Sequence, residues 1–408
     1  MPLGVSYMGT KRALAAAVAE IVERGRAGPF LDVFAGMCAV GTAVSPSRSI
    51  WSNDAQLFAS TVARAFFCSS ELPPDVTASA TVTHDSFARN EIELCRRFEN
   101  ELELEEKAIA DGTVKAFVAA EEACLARYED SNDEISRLRR HPTTFPHRLF
   151  STIYAGTYLG LRQCIQVDSL HFSITELASQ NKISEDARRW YLLALCKAVS
   201  RCSTSTGHFA QFLSIKAKTK KRYARQRSKS IVHEWMIALG ELSPFRSRRW
   251  RSANRVFCGD ALDLLFKVKD SAEKPSVIYA DPPYTDDQYS RYYHLYETIL
   301  LYDYPKTSSK ARYREERSVS SFSVKREVAS SIDLLISRSS EAGADLVLSY
   351  PTNGLLENSR TAIPDMLARH YRRVDAPMSF EHVHSTMGAS KGEASSSVTE
   401  MVYRASNR

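Results

Sequence analysis

Four consecutive apolar residues, Val277-Ile278-Tyr279-Ala280, run directly into Asp281-Pro282-Pro283-Tyr284. The run reads as a buried strand, and the two prolines stop it, because neither can donate to a ladder and each fixes φ. In an open α/β sheet, ligands bind beyond the carboxyl ends of the strands, where this tetrapeptide would sit. Three further segments repeat the pattern of strand followed by turn. FLDVFAG (30–36) reads as a strand entering a glycine turn, IWSND (50–54) as a strand closing on Asn-Asp before a helix over 55–68, and RVFCGDALDLL (255–265) as a strand entering Gly259-Asp260. Together they predict a doubly wound α/β fold with a mainly parallel sheet.

The rest of the chain divides around that unit. Residues 11–26 suit a helix stopped by Gly28-Pro29. Residues 86–140, rich in Glu, Ala, Arg and Leu, read as two or more solvent-facing helices, and 147–215 continue helically to a polar loop at 203–208. Strand patterns return at 345–350, 371–380 and 399–405. The expected organisation is a split α/β domain, 1–75 with 252–408, around a mainly helical insertion, 76–251. At 408 residues, 44 % of them hydrophobic, the chain can bury both parts. Residues 306–329 and 386–398, rich in Ser with charge or Gly, are expected to be mobile. The eight cysteines form no C-x-x-C pair, so a reduced, cytoplasmic protein without a metal site is expected. No apolar run has the length of a membrane span, and the first residues do not read as a signal peptide.

The net charge of +6 is unevenly placed. Lys216 to Arg255 holds 13 Lys or Arg against Glu234 and Glu241, a surplus of 11, so the remainder is acidic. A local basic stretch is the footprint of a polyanion site, although such runs are also commonly solvated faces.

The tetrapeptide carries the chemistry. Asp281 adds a carboxylate to backbone carbonyls that proline leaves unpaired, and Tyr284 adds an aromatic face. Paired acceptors beside a ring suit an exocyclic amine on a flat heterocycle. Asp281 and the Pro282 carbonyl would hold the two amine hydrogens while Tyr284 stacks. Asp54 and Asp260 each have two readings: an acid placed for a ligand at the sheet edge, or the cap of the helix that follows. Tyr7-Met8-Gly9-Thr10-Lys11-Arg12 reads on its own as a helix start capped by Thr10.

In this order the segments resemble the Dam-like family of adenine-specific DNA methyltransferases, with Asp-Pro-Pro-Tyr as the most specific motif. The resemblance covers both α/β segments. It implies a Rossmann-like sheet with one antiparallel strand near its end, S-adenosylmethionine as cofactor and double-stranded DNA as substrate. It also implies a flipped-out adenine as target and a cognate restriction or defence protein as partner. By resemblance, Tyr7 and Lys11 match N-terminal cofactor-binding positions, Phe34 and Gly36 the cofactor loop, Asp54 the ribose contact and Asp260 the cofactor's adenine edge. Asp281, Pro282 and Tyr284 match the catalytic tetrapeptide, with Asp281 also beside the methyl donor. The family often reads F-x-G-x-G where this chain has Cys38, and a Cβ there is expected to narrow the room for cofactor. Cytosine-N4 transfer, RNA adenine transfer and a catalytically weak nucleic-acid-binding component of a defence system are the alternatives.

The insertion is where such a family reads its target. Lys220, Lys221, Arg222 and Arg225, with Tyr223 and Gln226 among them, and Arg248 and Arg249 beside Trp250 are the candidate nucleic-acid contacts. After the tetrapeptide, Tyr289, Tyr292, Tyr293 and Tyr296 follow helical spacing and read as a core face. Arg291 and His294 fall off that face toward nucleic acid.

Overall fold

The computed structural model describes residues 3–5, 11–385 and 395–407. Its strands are β1 (Phe30–Asp32), β2 (Ile50–Asp54), β3 (Arg255–Cys258), β4 (Val277–Ala280), β5 (Thr307–Ser308), β6 (Tyr313–Arg314), β7 (Asp345–Pro351), β8 (Arg373–Val374), β9 (Met378–Ser385) and β10 (Ser395–Ser406). Eight of them form one sheet in the order β3-β2-β1-β4-β7-β10-β8, with β9 pairing along β10, while β5 and β6 pair separately. β3, β2, β1, β4 and β7 are parallel, and β10 runs antiparallel to β7. The expected Rossmann-like α/β fold is therefore present. Its order reverses between β1 and β4, which places the ligand crevice beyond the carboxyl ends of those two strands.

Every residue of β1, β4 and β7 is buried, as expected where helices cover both faces of a parallel sheet. Phe30, Val277, Tyr279 and Val347 join one apolar cluster, which also takes in the helices Leu57–Cys68, Glu185–Cys202 and His294–Leu301. Leu31, Ile278, Leu346 and Leu348 point the other way, against the helices Ala261–Val268, Val328–Glu341 and Ser359–His370. The alternation is the period-2 geometry of a strand.

Residues 86–140 fall within four helices, Asp85–Arg97, Glu99–Asp111, Val114–Glu129 and Asn132–Arg140. The inserted segment shares its core with the sheet: Leu94, Trp190 and Trp235 belong to the same cluster as Phe30 of β1. The helix Glu185–Cys202 traverses that face. At its start, Asp186 accepts the Ser70 N–H at 2.7 Å, just past the helix that follows β2. At its end, residues 203–215 reach the carboxyl edge of the sheet, where Phe209 meets Tyr296 edge-on and Tyr296 stacks on Phe58.

Two expectations are overturned. Residues 306–329 are built into the fold. Arg314 pairs with both carboxylate oxygens of Asp303 at 2.6 Å, and Arg312 lies buried over the Tyr128 ring at 4.0 Å. The Ser318 carbonyl accepts from the Ser290 hydroxyl, and the Ser320 N–H donates to Gln288. Composition signalled solvation there because the partners lie outside the segment: Asp303 just before it, and Tyr128 far earlier in the chain. The tyrosine-rich run is likewise not one helix: a 3-10 turn, Tyr289–Arg291, precedes His294–Leu301. Tyr292, Tyr293 and Tyr296 are buried as expected, whereas Tyr289 faces a cavity. Of the segment 386–398, residues 386–394 lie outside the described residues and the remainder belongs to β10.

Candidate active site

A cavity of about 270 Å³ opens at the carboxyl ends of β1 to β4. Its lining brings together Lys11, Phe34, Gly36, Asp54, Asp260, Asp281, Pro282 and Tyr284, all candidates from the sequence. Tyr7 lies outside the described residues. Asp32, Gln56, Tyr289, Val319 and Phe322 also line it; none of them was a site candidate from the sequence, and Tyr289 was read there as part of a core face.

The loop after β1 is tied together by the end of β2. The Asn53 amide donates to the carbonyls of Val33 and Gly259, both at 3.1 Å, fastening the turns after β1 and β3 to one side chain. Asp54 accepts the Gly36 N–H on one oxygen and the Gln56 N–H on the other, each at 2.9 Å. Gly36 sits at φ +47°, in the left-handed region that favours glycine. Burial pushes the Asp54 carboxyl up to about 6 despite these two N–H donors. Asp260 bonds the N–H groups of Leu262 and Asp263, so it is the cap of its helix while also standing on the cavity rim. Phe34 packs edge-on against Phe322 at 5.2 Å.

Cys38 does not narrow the cavity. It takes a left-handed backbone (φ 60°, ψ 28°), and its thiol turns into the core, 1 % exposed, while Met37 and Ala39 line the cavity. The departure from glycine costs backbone strain, about 1–2 kcal/mol, and takes no cavity space. A motif position fixes the backbone but not the direction of an added Cβ, which follows from how the turn packs.

Across the cavity, the Lys11 ammonium lies 3.0 Å from Asp281 and 2.9 Å from Glu400, and 5.6 Å from the centre of the Tyr284 ring. Burial raises the Asp281 carboxyl, Lys11 opposes that, and Glu400 adds to it; the outcome is about 7. Burial alone would lower the Lys11 ammonium, yet Asp281 and Glu400 carry it above the usual lysine value. Asp32 is pushed well above the carboxylate range by burial, with Asp281 and Asp54 adding to the effect. Glu400, 1 % exposed on β10, was not recognised in the sequence. Only the register of β10 against β7, which sets Glu400 opposite Pro351, brings it to this edge. The cavity is thus lined by Asp32, Asp54, Asp260 and Asp281, with Glu400 paired to Lys11, the one cation among the described lining residues. Such a cavity is electrostatically completed by a positively charged ligand, and Asp54 retains lone pairs for hydroxyl donors. The residues present therefore fit a cationic nucleoside cofactor such as S-adenosylmethionine.

The nucleic-acid candidates separate. Lys220, Lys221, Arg222 and Arg225 are exposed on the helix Lys220–Arg227. This helix is fastened to the carboxyl-edge end of Glu185–Cys202, because the Gln226 amide donates to the carbonyls of Arg201 and Ser203. Gln226 is thereby occupied as a brace, and Tyr223 is buried, donating to Glu121. Arg248 and Arg249 are exposed at the opposite edge: Trp250 donates to the Arg48 carbonyl just before β2, and Asn254 accepts the Ile50 N–H. They are not brought to the cavity. Arg291 is partly exposed and paired with Asp287 at 2.9 Å. His294 is a correction. It is fully buried, hydrogen-bonded through Nε2 to the Phe209 carbonyl, and held neutral by burial, which lowers it to about 3. Its place off the tyrosine spacing suggested exposure, but the inserted segment covers that side of the helix as well.

Among the described residues, no helix is long and apolar enough to cross a membrane. Comparison with known proteins gives the family. The chain is 27 % identical to the type II methyltransferase M.FokI of Planomicrobium okeanokoites over 220 residues, covering 52 % of this chain and 30 % of that protein. It is 23 % identical to the modification methylase LlaI of Lactococcus lactis subsp. lactis over 321 residues, covering 78 % and 42 %. It is 22 % identical to the modification methylase StsI of Streptococcus sanguinis over 302 residues, covering 73 % and 36 %. The chain thus spans less than half the length of these relatives. Residues 7–360 match the D12 class of N6 adenine-specific DNA methyltransferases, so the chain belongs to that family.

Proposed function

We propose that this chain transfers the methyl group of S-adenosylmethionine to the exocyclic N6 of an adenine rotated out of double-stranded DNA. The observation that carries this reading is the shared cavity: Asp281, Pro282 and Tyr284 face the same space as the Gly36 loop and Asp54. In this reading Phe34, Gly36, Asp54 and Asp260 hold the cofactor, with Tyr7 and Lys11 from the N-terminal segment. When bound, the cofactor would supply a methyl group activated by its positively charged sulfur, which leaves as a neutral thioether.

The chain's own residues do the rest. Asp281 and the Pro282 carbonyl accept the two amine hydrogens, which draws the nitrogen lone pair out of the ring. Tyr284 stacks on the base, worth roughly 1–3 kcal/mol against the few kcal/mol of extrusion. Lys11 favours the ionised form of Asp281, and that carboxylate takes up the proton shed by the methylated amine. Positioning and fixed charge supply most of the acceleration. Lys220, Lys221, Arg222 and Arg225, on the cavity edge of the inserted segment, contact phosphate, and this supports a target-recognition role for residues 76–251. The names of the relatives support modification paired with a restriction or defence protein, in the cytoplasm where the DNA is.

The direct test is incubation of the purified chain with genomic DNA and labelled cofactor, followed by nucleoside analysis. N6-methyladenine at a recurring sequence is expected. Label recovered only as N4-methylcytosine, or only in RNA, would overturn the assignment.

Cofactor binding has its own signature. Asp281 at about 7 and Asp54 at about 6 are partly protonated at neutral pH. A cation placed beside them lowers both values, so binding at pH 6.5 releases protons and tightens as pH rises toward 8. Calorimetry in buffers of different ionisation enthalpy should show this release, smaller for the demethylated cofactor with its neutral sulfur. A binding heat independent of buffer would contradict the charge argument.

A further inference from the structure

Glu400 lies beyond the segment that matches the family, 7–360. It is nonetheless built into the site. Its carboxylate is 1 % exposed, and its backbone is held on both sides, paired with Pro351 of β7 and with Phe380 of β9. Its Oε1 accepts a charge-assisted bond from Lys11 Nζ at 2.9 Å, while the same nitrogen sits 3.0 Å from Asp281. Among the described residues, both acids pair with Lys11 and with no other cation. A buried acid costs stability that an apolar residue at the same place would not, so its position calls for a reason beyond packing.

The lysine side chain is the reason. A flexible four-carbon stem with a point charge does not hold one geometry on a single carboxylate. With Glu400 as a second, rigid anchor, the ammonium is fixed and its charge is divided between two acids. Asp281 then keeps the lone-pair density that an amine donor needs.

We propose that Glu400 is a positioning residue of the methyl-transfer site: through Lys11 it sets the place of the ammonium and the acceptor strength of Asp281. This inference rests on the methyltransferase reading given above. The charged and titratable groups facing Asp281 are Lys11, Glu400 from β10, Asp32 at the end of β1, Tyr279 of β4, and Tyr284 and Tyr289 beyond it. Of these, Glu400 is the acid that shares a cation with Asp281.

Two variants separate charge from reach. Glu400→Gln removes a like charge from beside Asp281. The acid limb of the kcat/KM profile should move down by about one pH unit, and kcat on the plateau should fall roughly ten- to a hundredfold as Lys11 closes on Asp281. Glu400→Asp keeps the charge but shortens the reach, so kcat should fall while the acid limb stays in place. KM for DNA should be nearly unchanged in both. Wild-type kcat and pH profile in both variants, or an identical shift in both, would overturn the proposal. Should Glu400→Gln fail to fold, Glu400→Asp decides alone: a lowered kcat at unchanged cofactor affinity supports it, and a wild-type kcat overturns it. Wild-type methylation that Asp281→Ala abolishes but the Glu400 variants leave unaltered would sink this inference and spare the reaction assignment. Absence of adenine methylation by the wild-type chain would sink both.

Discussion

Asp281→Ala is expected to lower kcat for methyl transfer by about 10³-fold or more, in the range seen when a preorganised electrostatic partner is removed from a transition state, while leaving DNA affinity close to wild type. Lys11 keeps Glu400 as its partner in the variant, so no buried cation is left uncompensated. The same substitution should stabilise the ligand-free chain at alkaline pH. The folded-state value of Asp281, about 7, lies above its ordinary 3.8. The folded chain therefore binds that proton more tightly than the unfolded chain. Taking the protonated side chain as reference, its ionisation costs the folded chain stability: the cost is absent below pH 4 and fully felt once pH has risen through 7. Removing it should raise the melting temperature at pH 8 and change it little at pH 4. A variant that is inactive but equally or less stable at pH 8 would mean that the carboxylate is not held against its own ionisation. A variant that still methylates at the wild-type rate would remove Asp281 from the reaction.

The second large effect concerns DNA binding. Replacing Lys220, Lys221, Arg222 and Arg225 together with Gln should weaken binding about 100-fold at low salt. The slope of log affinity against log salt should become shallower by roughly 3 to 4, since each phosphate contact contributes about 0.9. All four side chains are exposed, so the fold should change little. Replacing Arg248 and Arg249 at the opposite edge is the matched control and should leave the slope unaltered. Titration of a fluorescent duplex over a salt series would measure both. If the control pair, and not the four-residue cluster, flattened the slope, the DNA would lie on the other edge of the sheet.

The strands that carry the site were legible because their signal is local. Val277–Ala280 and Ile50–Asp54 are short apolar runs ended by residues that cannot continue a ladder or that favour a turn, and each formed where its pattern predicted. The motif residues at their ends converge for the same reason, since a parallel sheet delivers every carboxyl terminus to one edge. Glu400 was not legible. It belongs to an antiparallel strand, and which of its residues reaches that edge depends on register with β7. His294 and Cys38 were misplaced, and the edge taken by Arg248 and Arg249 was not foreseen, for a related reason. Whether a polar side chain is covered, which way a Cβ points, and which end of the sheet an arginine occupies are set by segments far away in the chain. The strand–turn units and the chemistry at their ends follow from short-range sterics and from proline and glycine geometry, so they can be read along the chain. Which charges meet is settled by folding alone, because burial and the charges of Lys11 and Glu400, 389 positions apart, together tune Asp281.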